Sequence, residues 1–228
     1  KKALLIAAAG GHNMLMIGQP GTGKSMLANR IQTILPDLTP EEMLEISMIH
    51  SIAGLLKNGR LSFLRPFRSP HHSASLASIL GGGRNIKPGE ITLAHNGVLF
   101  LDEFAEYPRI LLDSLRQPIE SKSINITRVN ARVIYPAKFQ LIAAMNPCPA
   151  GKSCDFATNC ECSLEKRRKH RSKLSAPFLD RIDLQIEVLQ ISREDLQKPS
   201  HSENSETVRA RVVAARNMQL ERQGRANN

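Results

Sequence analysis

The sequence predicts an α/β fold, a central and mainly parallel sheet flanked by helices, on three observations. A short apolar run, Met14-Leu15-Met16-Ile17, leads into Gly18-Gln19-Pro20-Gly21-Thr22-Gly23-Lys24-Ser25 and then into residues 25–35, whose apolar positions recur at helical spacing. Two later runs, Val98-Leu99-Phe100-Leu101 and Phe139-Gln140-Leu141-Ile142-Ala143-Ala144-Met145, are near-continuous, the pattern of strands buried on both faces. Both runs end on polar residues, Asp102-Glu103 and Asn146, where parallel sheets place their ligands.

Residues 18–25 match G-x-x-x-x-G-K-[ST] at every fixed position, between a strand and a helix. Gly18, Gln19, Pro20, Gly21, Thr22 and Gly23 form a loop whose backbone N–H groups can converge on one anion, and the following helix adds its positive end. Lys24 supplies a point charge to β- and γ-phosphates, and Ser25 offers a hydroxyl to Mg²⁺. The match at all four fixed positions outweighs the alternative of an ordinary glycine turn. ATP and Mg²⁺ are therefore the expected cofactors.

Asp102 is expected to hold the hydration shell of Mg²⁺, and Glu103 to polarise the attacking water. A helix N-cap is the competing reading for this acidic pair, and the upstream phosphate loop tips the balance against it. Asn146 is placed to orient the same water, or is simply a turn residue before Pro147.

The remaining elements follow in order. Residues 1–11 read as a helix with a glycine stop, a preface so short that the chain is expected to begin inside a larger protein. Thr39-Pro40-Glu41-Glu42 combines an N-cap, a first-turn proline and a capping glutamate, so a helix starts there and runs toward Asn58-Gly59. Residues 60–97 lose periodicity and form a long polar excursion, either a functional insertion or a solvated loop. Pro108 opens a helix carrying Ile110, Leu111, Leu115 and Ile119, and residues 124–135 alternate as a hairpin around Val129-Asn130-Ala131. A last helix spans about residues 207–223, with Gly224 as its stop.

Charge and composition bound the partners. Lys+Arg 31 against Asp+Glu 21 gives a net charge of +10, which favours a polyanion without identifying one. No apolar run reaches the ~18 residues of a membrane span and no leader pattern opens the chain, so a soluble cytoplasmic protein without a membrane partner is expected. In Lys166-Arg167-Arg168-Lys169-His170-Arg171-Ser172-Lys173, seven of eight residues are basic or histidine. A nucleic-acid groove and a solvated helix face both fit, since no aromatic residue is interleaved to stack bases. Cys148, Cys154, Cys160 and Cys162 fall within fifteen residues, enough for a structural Zn²⁺ site, but no C-x2-C pair is present and reduced free thiols in a flexible loop are the favoured reading.

Taken together these stretches resemble an AAA+ ATPase, with residues 18–25 as Walker A, residues 98–103 as Walker B and Asn146 as sensor 1. The resemblance narrows to the magnesium chelatase-like ComM/YifB family. Its characteristic stretches stand here as Arg65-Pro66-Phe67-Arg68-Ser69-Pro70-His71-His72, as residues 87–97, as Ala143-Ala144-Met145-Asn146-Pro147-Cys148-Pro149, and as Leu179-Asp180-Arg181-Ile182-Asp183. The resemblance covers nearly the whole chain and implies a homo-hexameric ring with ATP between subunits. It implies that Arg181 is an arginine finger acting in trans; the residues alone also allow a salt bridge to Asp180 or Asp183. It places a helix-2 insertion within residues 60–97 and a pre-sensor hairpin at residues 124–135, with Arg84, Lys87, Arg128 and Arg132 as candidate DNA-backbone contacts. The resemblance divides the chain into a nucleotide-binding domain, residues 1–195, and a linker with the first lid helix, residues 196–228. Arg209, Arg211 and Arg216 are poor stand-ins for the sensor-2 arginine, which is expected on a later lid helix.

Two departures stand out: Ala150 stands in place of the second cysteine of the family's Cys-Pro-Cys, and residues 207–223 are expected to be only the first helix of the lid. The implied function is ATP-driven DNA translocation or branch migration in uptake and recombination of transforming DNA. The alternative is a magnesium chelatase-type subunit remodelling a protein partner.

Overall fold

The computed structural model of the chain describes residues 1–56, 63–83, 86–128, 131–150, 162–190 and 203–224. Five strands, β1 (Met14–Gly18), β2 (Phe67–Arg68), β5 (Gly97–Leu101), β8 (Phe139–Met145) and β9 (Leu184–Val188), form one sheet in the order β2-β5-β8-β1-β9. The β1–β8, β1–β9 and β2–β5 pairs are parallel. All residues of β5 and β8 are buried, as their near-continuous apolar composition requires. The remaining strands form two small antiparallel pairs. These are β3 (Gly81–Gly82) with β4 (Lys87–Pro88), and β6 (Ser123–Arg128) with β7 (Ala131–Pro136). The second pair is the expected hairpin: Arg128 faces Ala131, and Val129 and Asn130 lie outside the described residues.

By its contacts the chain divides into two compact units. The first comprises Lys1–Pro36, Asp102–Glu106 and Ile142–Asn228. Here α1 (Lys2–Gly10) ends where Gly11 turns left-handed at φ 67°, and its N–H satisfies the Ala7 carbonyl. Helix α2 (Lys24–Ile34) buries Ala28, Ile31 and Ile34. Helices α8 (Leu164–Arg171) and α9 (Ala176–Leu179) precede β9, and Phe104 and Phe178 meet with ring centroids 5.4 Å apart, both fully buried. The long helix α10 (Ser205–Gln223) is capped by Asn204, which accepts the Thr207 N–H, and stops at left-handed Gly224. It packs on α1 and α2, and Arg216 donates from Nε and Nη2 to the Ala8 carbonyl, one of the acceptors that the end of α1 leaves unpaired.

The second unit comprises Asp37–Leu101 and Tyr107–Leu141. Helix α3 (Pro40–Ile52) begins with the capping box that the sequence predicts: Thr39 Oγ1 accepts the Glu42 N–H, and Glu42 accepts the Thr39 N–H. Its apolar residues run round the helix, so it buries Ile46 and Ile49 while Leu44, Met48 and Ile52 stay exposed. The aperiodic region holds β2, α4 (Leu76–Leu80), β3, β4 and α5 (Glu90–Leu93).

Ion pairs brace that region. Arg65 reaches Glu42 at 2.8 Å as well as the Asp37 and Asn96 carbonyls, and Arg68 forks onto both oxygens of Glu90 at 2.6 and 2.8 Å. His95 accepts the Lys138 N–H at Nδ1, so Nε2 carries the proton that it donates to Glu45. Burial holds the His95 pKa below its ordinary value despite that carboxylate. The helix expected from Pro108 is in fact two, α6 (Arg109–Ser114) and α7 (Arg116–Ser121). Pro118 has no N–H for the Ser114 carbonyl, which ends the first helix there.

Candidate functional site

The phosphate loop joins β1 to α2 in the first unit. Gly21 and Gly23 adopt φ 82° and 84°, a left-handed backbone that side chains disfavour, and a Cβ on Gly18 would collide with the Val188 carbonyl of β9. The glycines of the motif thus serve two purposes, conformation at 21 and 23 and close strand packing at 18.

Lys24 is buried, and its Nζ donates to the Gly18 carbonyl at 2.8 Å, the Gln19 carbonyl at 2.9 Å and Asn146 Oδ1 at 3.3 Å. Burial lowers its pKa, and the nearby Asp102 carboxylate works against that shift. Ser25 Oγ donates to Asp102 Oδ2 at 2.6 Å, and the other Asp102 oxygen accepts the Glu103 N–H at 2.9 Å. The carboxylate is thus engaged by the loop serine and its own neighbour, not by the start of a regular helix; only a 3₁₀ turn, Phe104–Glu106, follows. Glu103 is exposed and sits at φ 49°. A left-handed non-glycine residue is strained by about 1–3 kcal/mol and such strain clusters at functional sites.

The register of the sheet explains how Asn146 reaches Lys24 across 122 positions. Ile17 pairs with Met145, so the residues after β1 and β8 emerge side by side. Asn146 is held at both ends, because its backbone carbonyl accepts Nε2–H of His170 at 3.0 Å. A cavity of about 210 Å³ opens beside it, lined by Glu103, Ala105, Glu106, Asn146, Cys148, Pro149 and His170. Glu106 on its rim pairs with Lys173 at 3.3 Å.

Arg181 is not gathered into this cluster. Its carbonyl accepts from Asn13 Nδ2 and its Nη1 donates to the Pro177 carbonyl at 2.6 Å. Asn13 precedes β1, whereas the phosphate loop follows it, so Arg181 meets the amino end of the strand and the loop lies at its carboxyl end. Asp183, its suggested salt-bridge partner, accepts the Asn13 N–H at 2.7 Å.

Cys148 and Cys162 bring their sulfurs to 3.7 Å as free thiols. Cys154 and Cys160 lie outside the described residues, and among the described residues no group of three metal-ligating side chains is assembled. Lys87 and Arg132 are exposed, while Arg84 and the Arg128 side chain fall outside the described residues.

Sequence reading missed His170, submerged in a run of cations. The usable signal was its spacing of four from Leu174 and eight from Phe178, both also buried.

Residues 1–196 match the family described as "Magnesium chelatase, subunit ChlI". The chain belongs to that family. The ChlI-type domain is an AAA+ unit, and the parallel sheet with its loop at the end of β1 accords with the fold expected from the sequence. Over its whole length it is 50% identical to "Uncharacterized protein YifB" of Escherichia coli and 48% identical to "Competence protein ComM" of Haemophilus influenzae. The ComM/YifB assignment therefore holds. A more distant similarity, 24% identity over 172 residues, connects three quarters of the domain with 17% of the "DNA replication licensing factor Mcm6" of Drosophila melanogaster. The chain spans less than half the length of the two nearer relatives, 45% and 44%. Family membership implies an ATPase using ATP and Mg²⁺. Among the described residues no helix is long and apolar enough to cross a membrane.

Proposed function

We propose that this chain is the ATP-hydrolysing module of a cytoplasmic ring motor that moves DNA. One observation carries the nucleotide half: Lys24, Ser25, Asp102 and Asn146, from three separate stretches of sequence, are linked by hydrogen bonds at the carboxyl ends of parallel strands. In this reading the loop amides and Lys24 take the β- and γ-phosphates. A hydroxyl beside a carboxylate is a hard oxygen pair of the kind Mg²⁺ prefers, and Ser25 and Asp102, the latter through water, would hold it while phosphate oxygens and waters complete the shell. Bound Mg²⁺ supplies charge neutralisation at those phosphates. Glu103 takes the proton of the attacking water, and Asn146 orients that water with its amide.

Arg181 meets Asn13, at the end of β1 opposite its own phosphate loop, which suits a finger presented to the neighbouring subunit of a hexamer. Arg181→Ala is expected to leave nucleotide affinity within about threefold and to cut turnover of the assembled ring by about 10³-fold or more. Unchanged turnover, measured beside nucleotide titrations, would remove the finger role. Residues 1–195 then form the nucleotide-binding domain and residues 196–228 a linker and first lid helix.

The DNA half draws support from the net charge of +10, from the exposed cations of α8, and from similarity to a competence protein and a replication factor. The test is the steady-state ATPase rate of the full-length protein with and without branched DNA at 50 and 200 mM salt. Stimulation is expected, with apparent DNA affinity falling about tenfold over that range for every two phosphates contacted. A second reading, a chelatase-type subunit remodelling a protein partner, is favoured by the family match itself. A rate indifferent to DNA and dependent on a partner subunit would select it.

A further inference from the structure

Helix α8 is almost wholly polar, and only one of its residues is buried. That residue is His170, 4% exposed, while Lys166, Arg168, Lys169 and Arg171 around it are exposed. A histidine turned inward among cations needs a partner, and it has one: Nε2 lies 3.0 Å from the Asn146 carbonyl. A carbonyl only accepts, so Nε2 carries the proton.

The carbonyl in question is at a weak point of the sheet. The pairing of β8 with β1 ends at Met145, and the next peptide, Asn146-Pro147, has no N–H to anchor it from the other side. The orientation of that peptide sets where the Asn146 side chain starts. The same side chain accepts from Lys24 Nζ at 3.3 Å and shares the cavity of about 210 Å³ with Glu103 and His170. We propose that His170 is a positioning residue for ATP hydrolysis, holding the Asn146 peptide so that the side-chain amide faces the γ-phosphate and the attacking water. The inference rests on the reading of Asn146 as the water-orienting residue.

The consequence is a division between binding and turnover. Nucleotide affinity depends on the phosphate loop, which His170 does not touch, whereas hydrolysis depends on the placement of Asn146. Misplacement of such a group by an ångström costs roughly ten- to a hundredfold in rate.

The experiment uses the full-length protein and three variants, with ATP turnover, nucleotide affinity and melting temperature read for each. His170→Phe keeps the ring volume and removes the donor; kcat is expected to fall about ten- to a hundredfold with affinity within threefold. His170→Gln restores an N–H donor and is expected to recover most of the loss. Asn146→Ala is expected to lose at least as much turnover as His170→Phe. Parental turnover in His170→Phe, or a loss that follows melting temperature and is equal in Phe and Gln variants, would overturn the positioning role. Parental turnover in Asn146→Ala would instead overturn the reading on which it rests, and the two failures are told apart by which variant stays active.

Discussion

Glu103→Gln is expected to retain ATP binding within a few-fold of the parent and to lose hydrolysis by about 10²- to 10⁴-fold, the range assigned to a general base. The substitution preserves size and most hydrogen-bonding capacity while removing the group that takes a proton. Two contacts that fix the backbone around Glu103 do not involve its carboxylate. Its N–H is fixed on Asp102 Oδ1 at 2.9 Å, its carbonyl accepts from the Glu106 N–H at 2.7 Å, and both contacts survive in the variant. The left-handed φ of 49° is therefore expected to persist and to keep aiming the side chain as before. A second carboxylate, Glu106, lines the same cavity but is engaged by Lys173. Glu106→Gln should cost much less. Phosphate release under single-turnover conditions, read beside binding of a fluorescent ATP analogue, separates the cases. Retained turnover in Glu103→Gln with loss in Glu106→Gln would transfer the role to Glu106.

The parts of this site that the sequence disclosed are those whose chemistry is concentrated in a few adjacent residues. Residues 18–25 needed no partner to be understood, because glycine conformation, a cation and a hydroxyl occur together. The buried strands were legible from apolar continuity, and the capping box from three side chains. What stayed hidden depends on distant residues or on backbone shape. The strand order places β8 beside β1, and only that order brings Asn146 to Lys24. The left-handed backbone of Glu103 has no signature, since a glutamate is not a residue that favours it. The division of α6 from α7 was written in Pro118, yet the apolar spacing of Leu111, Leu115 and Ile119 continues across the break and conceals it. His170 was masked in a similar way, by cations whose charge drew attention away from its burial.

Lys24→Ala is expected to weaken ATP binding by more than about a hundredfold while the fold remains intact. In the structure all three Nζ protons meet neutral oxygens: two carbonyls of the loop itself and the Asn146 amide. Those contacts hold the ammonium where the β- and γ-phosphates are proposed to lie, and burial has already pushed its pKa down. A triphosphate reverses that penalty by placing anionic oxygens beside the charge. Each such charge-assisted hydrogen bond is worth about 1.5–3 kcal/mol, so losing them corresponds to about a hundredfold or more in Kd. Stability should change little, since deleting a partly desolvated cation offsets the donors lost to the Gly18 and Gln19 carbonyls. The loss should be larger for ATP than for ADP, and smallest for AMP, because Lys24 is assigned to the β- and γ-positions. Calorimetric titration of the three nucleotides, with melting curves as the control, reads this ordering directly. Equal affinity of parent and variant for ATP would show that the phosphate loop binds something else; an equal loss for all three nucleotides would mean that Lys24 shapes the loop and does not touch the terminal phosphates.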